Sequence, residues 1–335
     1  MQKSERRQFD FISIGDVTTD VFIRIERANV HTDNPIEGEQ LCVTNGAKIP
    51  YVFAKEVPAV GNSANAAVSA ARLGLSAAFV SNVGDDTHGK EDLEALKSAG
   101  VDTRYVKTHP GKTSNYHYVL WYKADRTILI KHETYEYEMP AIGDPKWIYV
   151  SSVGEKALAY HALITEYLAA HPSMRLAFQP GSFQIKMGYA ALEDFYRRSD
   201  LFFCNVEEAR LILKDTASDA SKLPAVMSSR GPKISVITDG PKGAYIHDGA
   251  RTYFMPPYPD PAPPYERTGA GDSFSSTFTA ALALGLGVEE AMRWAPINSM
   301  SVVQKIGAQE GLLTRAALED YLAKAPENYK PQLLH

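Results

Sequence analysis

The chain has 335 residues, 44% hydrophobic and 22% charged, enough to bury one large core or two smaller ones and too apolar to be disordered or fibrous. Its 35 basic and 40 acidic residues give a formal charge of −5 at pH 7, which offers no field for nucleic acid or anionic lipid and points to small-molecule partners. The two cysteines, Cys42 and Cys204, suggest neither a disulfide framework nor a zinc site, and no signal-like or membrane-length apolar run appears, so a cytoplasmic protein without membrane contact is expected.

In chain order, the apolar run Phe11 to Ile14 halts at Gly15-Asp16 and reads as a buried strand. Val30 to Val60 shows no helical period. Asn65 to Leu73, closed by Gly74, reads as a helix, Ala77 to Val83 as a strand, and Gly89 to Ser98, closed by Gly100, as a helix. Thr113 to Tyr137 again lacks a helix and is β-rich at Tyr116 to Tyr122 and Thr127 to His132. Strands follow at Trp147 to Ser151, Arg175 to Phe178, Leu201 to Cys204 and Ile234 to Thr238. Helices are predicted at Ala157 to Ala170, Val206 to Lys214 and Ser273 to Leu284. This alternation predicts an α/β fold with a mostly parallel central sheet and helices on both faces. The two helix-free stretches predict a small antiparallel sheet attached to it. The expected division is a main domain of 8–29, 61–112 and 138–325, a small β lid of 30–60 and 113–137, and a C-terminal tail of 326–335.

The proline-rich loop Pro256 to Pro264 leads into Glu266-Arg267-Thr268-Gly269-Ala270-Gly271-Asp272 and a helix. A helix start with glycines presents unpaired N–H groups and a positive dipole end to an anion such as phosphate. A carboxylate in the same turn would repel that anion, yet it suits a base taking a proton from an attacking hydroxyl. The plainer reading is a tight turn capped by Asp272, with Phe274 and Phe278 packing one helical turn apart.

Thr268 to Asp272 and its helix resemble the C-terminal signature of the ribokinase-like carbohydrate kinases, the PfkB family. That signature opens with Asp-Thr, where this chain has Glu266-Arg267. In the family the pair helps build a monovalent-cation site, so a K⁺ requirement is left open. The resemblance continues through Val60-Gly61-Asn62-Ser63-Ala64-Asn65, Ala71-Arg72-Leu73-Gly74 and Val83-Gly84-Asp85-Asp86, and it spans about Phe11 to Leu322. It implies that Asp272 is the catalytic base beside an anion cradle of Gly269, Ala270 and Gly271. Asp20, with Gly61, Asn62 and Asn65, would hold the substrate hydroxyls, and Asp16 is the second candidate there. The hinge that is Gly-Gly in the family is Val60-Gly61 here.

Asn205-Val206-Glu207-Glu208 resembles the family element associated with magnesium, with Glu208 acting through water, and equally makes a plain capping box. Thr238, Gly240 and Gly243 fall in a nucleotide-side hairpin, which alone is only a hairpin. Thr268 and Asn298 complete the implied ATP contacts, although an ordinary core helix explains Asn298 as well. The implied function is ATP- and Mg²⁺-dependent phosphorylation of a hydroxyl of a small sugar or of a nucleoside's ribose, with a homodimer through the lid as a further expectation. Lid aromatics Tyr51, Phe53, Tyr116, Tyr118 and Trp121 favour a purine nucleoside if they stack, but core or dimer contacts account for them too. The alternative is a catalytically inactive relative that senses sugar or nucleotide. Gly111-Lys112-Thr113 lacks the upstream glycine of a phosphate-binding loop, G-x-G-x-x-G does not follow the first strand, and position 136 is Glu136 where a zinc protease needs histidine.

Overall fold

The computed structural model describes residues 9–31, 39–123 and 125–334. In chain order its strands are β1 (Phe11–Ile14), β2 (Thr18–Ile25), β3 (Asn29–His31), β4 (Gln40–Cys42), β5 (Tyr51–Val60), β6 (Ala77–Gly84), β7 (Asp102–His109) and β8 (Tyr116–Tyr122). They continue with β9 (Asp125–Lys131), β10 (Trp147–Val150), β11 (Arg175–Phe178), β12 (Leu201–Asn205), β13 (Ile234–Thr238), β14 (Ala244–His247), β15 (Thr252–Met255) and β16 (Gln332–Leu333). Ten of them form one sheet in the order β16-β15-β14-β13-β12-β11-β10-β1-β6-β7. It is parallel from β7 to β13 and antiparallel from β13 to β16.

Successive side chains of the parallel strands enter opposite cores, which is why these strands read as unbroken apolar runs. Phe11, Trp147, Tyr149, Leu201 and Phe203 pack toward the helices Asn62–Arg72, Ala270–Ala283 and Val288–Val302. Ile12, Ile14, Ile148, Val150, Phe178 and Phe202 pack toward Leu158–Ala170, Val206–Leu213 and Leu223–Ser228. At about 1.5–3 kcal/mol for each large apolar side chain taken from water, these two layers hold the carboxyl ends of the strands in register. Helix Asn62–Arg72 is docked on β1 by reciprocal bonds, Ser13 Oγ to Ser63 O at 2.6 Å and Ser63 Oγ to Ile14 O at 2.7 Å.

The second sheet has the order β5-β2-β8-β9, with β3 and β4 as a separate hairpin. Four expectations change. Thr18–Ile25, expected in the main domain, is a central strand of this second sheet, because the chain turns away after Gly15-Asp16 and pairs with β5 and β8. The β2–β8 pairing is parallel, so the sheet is mixed. Asp102–His109 is a main-sheet edge strand that the sequence hides, since a polar edge carries no apolar run. The expected tail packs: Gln332–Leu333 pairs with β15, and buried Tyr329 donates its hydroxyl to Arg293 O at 2.6 Å. Residues 8, 32–38, 124 and 335 of the expected spans lie outside the described residues. Lys112 bonds Thr134 O at 2.7 Å and β8 follows Thr113, so no phosphate-loop helix starts there.

Candidate active site

The catalytic candidates meet at the carboxyl edge of the parallel sheet, where β1 lies between β6 and β10 and the strand order changes direction, the usual place for ligands in such folds. Helix Ala270–Ala283 begins three residues earlier than its pattern predicts, which puts Gly271 and Asp272 in the first turn. Its N-cap, Gly269, has φ +78°, and a Cβ there would lie 2.3 Å from Ala308 Cβ, so glycine alone fits. A Cβ on Gly271 would meet nothing within 4 Å, so the backbone faces open space at Gly271. Its amide groups and helix dipole favour an anion.

Asp272 is held from two sides. Asn65 Nδ2 donates to its Oδ2 at 2.8 Å and Gln179 Nε2 to its Oδ1 at 3.0 Å. Burial pushes its carboxyl above the ordinary range, while Asn65, Gln179 and the charge of Arg126 pull it back down. Each amide is itself fixed. Gln309 Nε2 donates to Asn65 Oδ1 at 3.0 Å, and Gln179 Oε1 accepts from Ser275 Oγ at 2.8 Å and from the Tyr149 hydroxyl. Each carboxylate oxygen keeps a second lone pair, so both can still accept a proton.

A cavity of about 490 Å³ opens over Asp272 and is lined by Asn62, Asn205, Glu208, Thr238, Gly240 and Gly271, among others. Asn205 Oδ1 accepts from Glu208 N at 2.8 Å and Glu208 Oε2 from Asn205 N at 2.9 Å, the capping box expected from the sequence. Burial raises the Glu208 carboxyl, the Asn205 amide opposes this, and the Asp272 charge adds to the rise. Two raised carboxylates in one cavity fit a divalent cation, whose charge would favour the ionised form of both, and a hard ion such as Mg²⁺ suits oxygen donors of this kind. An adjoining cavity of about 420 Å³ shares Thr238, Gly240 and Gly271 and is walled by Gly243, Tyr258, Phe274, Pro296, Met300 and Val303. Two ATP candidates stand apart. Asn298 is fully buried, donating to Thr277 Oγ1 and accepting from Leu313 N, so its neighbours Pro296 and Ser299 line the cavity instead. Thr268 lines neither cavity and turns its hydroxyl to Glu266 Oε1 at 2.5 Å.

Asp16 and Asp20 are both buried. The Tyr137 hydroxyl donates to Asp16 at 3.0 Å, with His132 Nδ1 at 3.7 Å, and His117 Nδ1 lies 3.2 Å from Asp20 Oδ1. The rings of His117 and His132 are 5.1 Å apart. Gly61 adopts φ +111°, with Asp16 O 2.9 Å from where a Cβ would stand, so this turn needs its glycine. Before it, Ala59 takes φ +59°, and its N–H donates to Asp92 Oδ1 at 2.6 Å. The hinge expected at Val60-Gly61 thus has left-handed residues at 59 and 61 on either side of Val60.

Residues 48–315 match the model of the pfkB family carbohydrate kinases. The chain belongs to that family. A pfkB-family relative, ribokinase from Bacillus subtilis, is 27% identical over 271 residues, covering 78% of this chain and 87% of its own. The 5-dehydro-2-deoxygluconokinase of Bacillus subtilis is 23% identical across 95% of this chain and 97% of its own. The structure of Arabidopsis thaliana ribokinase complexed with ribose and ATP superposes with a TM-score of 0.78 at 20% identity, covering 94% of this chain and 99% of that one, a likeness of fold.

Against the pfkB-family pattern, Glu266 stands where an aspartate helps hold a monovalent cation. Its carboxylate is buried and already accepts from Arg126, Thr268 N, Thr268 Oγ1 and Gly307 N. A K⁺ ion at this carboxylate would compete with the Arg126 guanidinium and with three further donors. Gln179, Gln309 and Arg126 are neighbours of the site that sequence patterns alone do not single out. Gln179 directly follows a buried parallel strand, and that position was the signal available for it.

Proposed function

We propose that the chain transfers the γ-phosphoryl group of ATP to a hydroxyl of a small sugar, with Asp272 taking the hydroxyl proton. The observation that carries this reading is one helical turn in which the unobstructed backbone at Gly271 stands beside a carboxylate aimed by Asn65 and Gln179. Amides alone would serve anion binding. The added carboxylate opposes binding but suits deprotonation of an alcohol in line with a phosphoryl group. ATP would run from this turn along the two adjoining cavities, with Asn205, Thr238, Gly240 and Gly243 at its side. Glu208, through water, would hold Mg²⁺, which would supply charge neutralisation at the phosphoryl oxygens. Positioning by the amide network accounts for most of the acceleration.

Asp16 and Asp20 suit a polyol, since carboxylates accept from neighbouring hydroxyls. A sugar is favoured over a nucleoside because Tyr116 and Tyr118 do not offer a stacking face there. Tyr118 is on the opposite side of the second sheet from Asp20, and Tyr116 packs on His88. Trp121 is covered by Arg24 and meets Phe53 edge-on. We place the chain in the cytoplasm, where its two free cysteines would stay reduced, and no described helix is long and apolar enough to cross a membrane. A homodimer through the second sheet would use exposed Tyr118 and Leu129, which face each other across β8 and β9.

The test is ADP release against a panel of sugars and nucleosides with Mg²⁺, run in K⁺ and in Na⁺. Turnover with a sugar, equal in the two salts, is expected. Silence across the whole panel would favour a non-catalytic sensor of sugar or nucleotide.

A further inference from the structure

One carboxylate holds both walls of the amide-lined turn. Glu266 Oε1 accepts from Thr268 N at 2.7 Å and Thr268 Oγ1 at 2.5 Å, directly before Gly269. Its Oε2 accepts from Gly307 N at 3.2 Å, directly before the Ala308 that closes over Gly269. Glu266 is only 4% exposed, and its ion-pair partner is Arg126, which belongs to β9 of the second sheet. Trp121, opposite Arg126 in the β8–β9 register, packs edge-on against Tyr265 with ring centroids 5.4 Å apart. Two adjacent side chains of the second sheet thus grip two consecutive residues that lead into the catalytic turn.

We infer that Arg126 is a positioning residue that acts through Glu266, so that the turn 267–272 and the segment 306–308 are held in place only while the second sheet is docked on them. The inference rests on the proposed function for its catalytic meaning, but its structural part stands without it. A buried carboxylate left without its cation is destabilising, whereas loss of both charges is tolerated. The pair therefore predicts an asymmetry: removing Arg126 alone loosens both walls, whereas removing both charges restores the Thr268 side, where one amide oxygen can still accept, and leaves the Gly307 side loose. The Arg126 charge also reaches Asp272 and favours its ionised form. Docking of the sheet that carries Asp20 is in this way coupled to the state of the base.

The experiment compares full-length wild type, R126Q, R126K and R126Q/E266Q by amide hydrogen exchange and by kinetics. In R126Q, exchange in peptides covering 267–272 and 306–308 should rise roughly tenfold or more. In R126Q/E266Q it should return to within about threefold of wild type over 267–272 but stay raised over 306–308, where the glutamine N–H faces Gly307 N, and R126K should lie between R126Q and wild type. Turnover should follow the same order, with the KM of the acceptor changed less than about threefold. Unchanged exchange in R126Q would overturn the inference, as would a double variant as loose as the single one over 267–272. A change in acceptor KM with turnover intact would overturn it too, by making Arg126 a direct substrate contact. If R126Q does not fold, R126K and R126Q/E266Q decide the matter by the same two readouts. Exchange needs no turnover, so an inactive wild type would count against the proposed function, while the exchange pattern across the variants would still uphold or overturn the role of Arg126.

Discussion

Asn65 and Asp272, 207 residues apart in sequence, meet at 2.8 Å because the N-terminal turns of two helices converge over the end of β1. Small side chains on helix Asn62–Arg72, with Ala64, Ala66 and Ala67 fully buried, let it sit low enough on the sheet for an asparagine to reach a carboxylate on another helix. The proposed base is therefore positioned by backbone placement, and one side-chain amide reports on it.

Asn65→Leu should lower turnover by roughly 10- to 100-fold, the range set by about 1.5–3 kcal/mol for a hydrogen bond to a charged group. Losing a donor that holds the Asp272 carboxyl down should also move the acidic limb of the turnover–pH profile to higher pH. An unmoved limb would separate Asn65 from the base.

The two glycines of the turn should separate by experiment. Gly269→Ala drives a Cβ into Ala308 at a left-handed residue and should cost about 1–3 kcal/mol in chemical denaturation. Gly271→Ala meets no atom and replaces glycine in a helix, so stability should hold or rise by up to about 1 kcal/mol. Its methyl enters the ligand cavity, so affinity for a non-hydrolysable ATP analogue should fall roughly tenfold by calorimetry.

Asp92 gives a stability prediction with a definite sign. It is fully buried, accepts from Ala59 N and from Thr19 Oγ1 at 2.9 Å, and burial pushes its carboxyl up to about 6. Its two hydrogen bonds and His88 oppose the rise, and Asp86 adds to it. Between pH 3.8 and about 6 the unfolded chain is ionised while the folded chain stays protonated, so this group destabilises the fold as pH climbs through that window. The loss amounts to about 3 kcal/mol by pH 7. The unfolding free energy of wild type minus that of Asp92→Asn should fall by this order between pH 4 and pH 7, and a flat difference would contradict the account.

Glu208→Gln separates capping from metal binding. Glutamine at the third helical position keeps the capping box, so the melting temperature should barely change. The Mg²⁺ concentration for half-maximal turnover should rise roughly tenfold with a carboxylate removed.

The main sheet was legible because β1, β6, β10, β11, β12 and β13 are buried on both faces and read as apolar runs between glycine-marked turns. Asp272 and its glycines were singled out by their resemblance to the family signature, because composition alone fits a tight turn capped by Asp272 equally well. What stayed hidden is non-local. Thr18–Ile25 follows β1 so closely that nothing in its residues assigns it to another sheet, and β7 and β16 are edge strands whose polarity masks their pairing. Gln179, Gln309 and the Arg126–Glu266 pair are ordinary polar residues until the fold brings them together, and Asn298 was misread because a buried asparagine and a ligand contact look the same in sequence.

The most direct measurement is the phosphoryl-transfer turnover of Asp272→Asn on the acceptor found in the panel, with ATP affinity measured alongside. The account predicts turnover lower by roughly two orders of magnitude or more, with ATP affinity within about threefold of wild type. Near-normal turnover in that variant would contradict it.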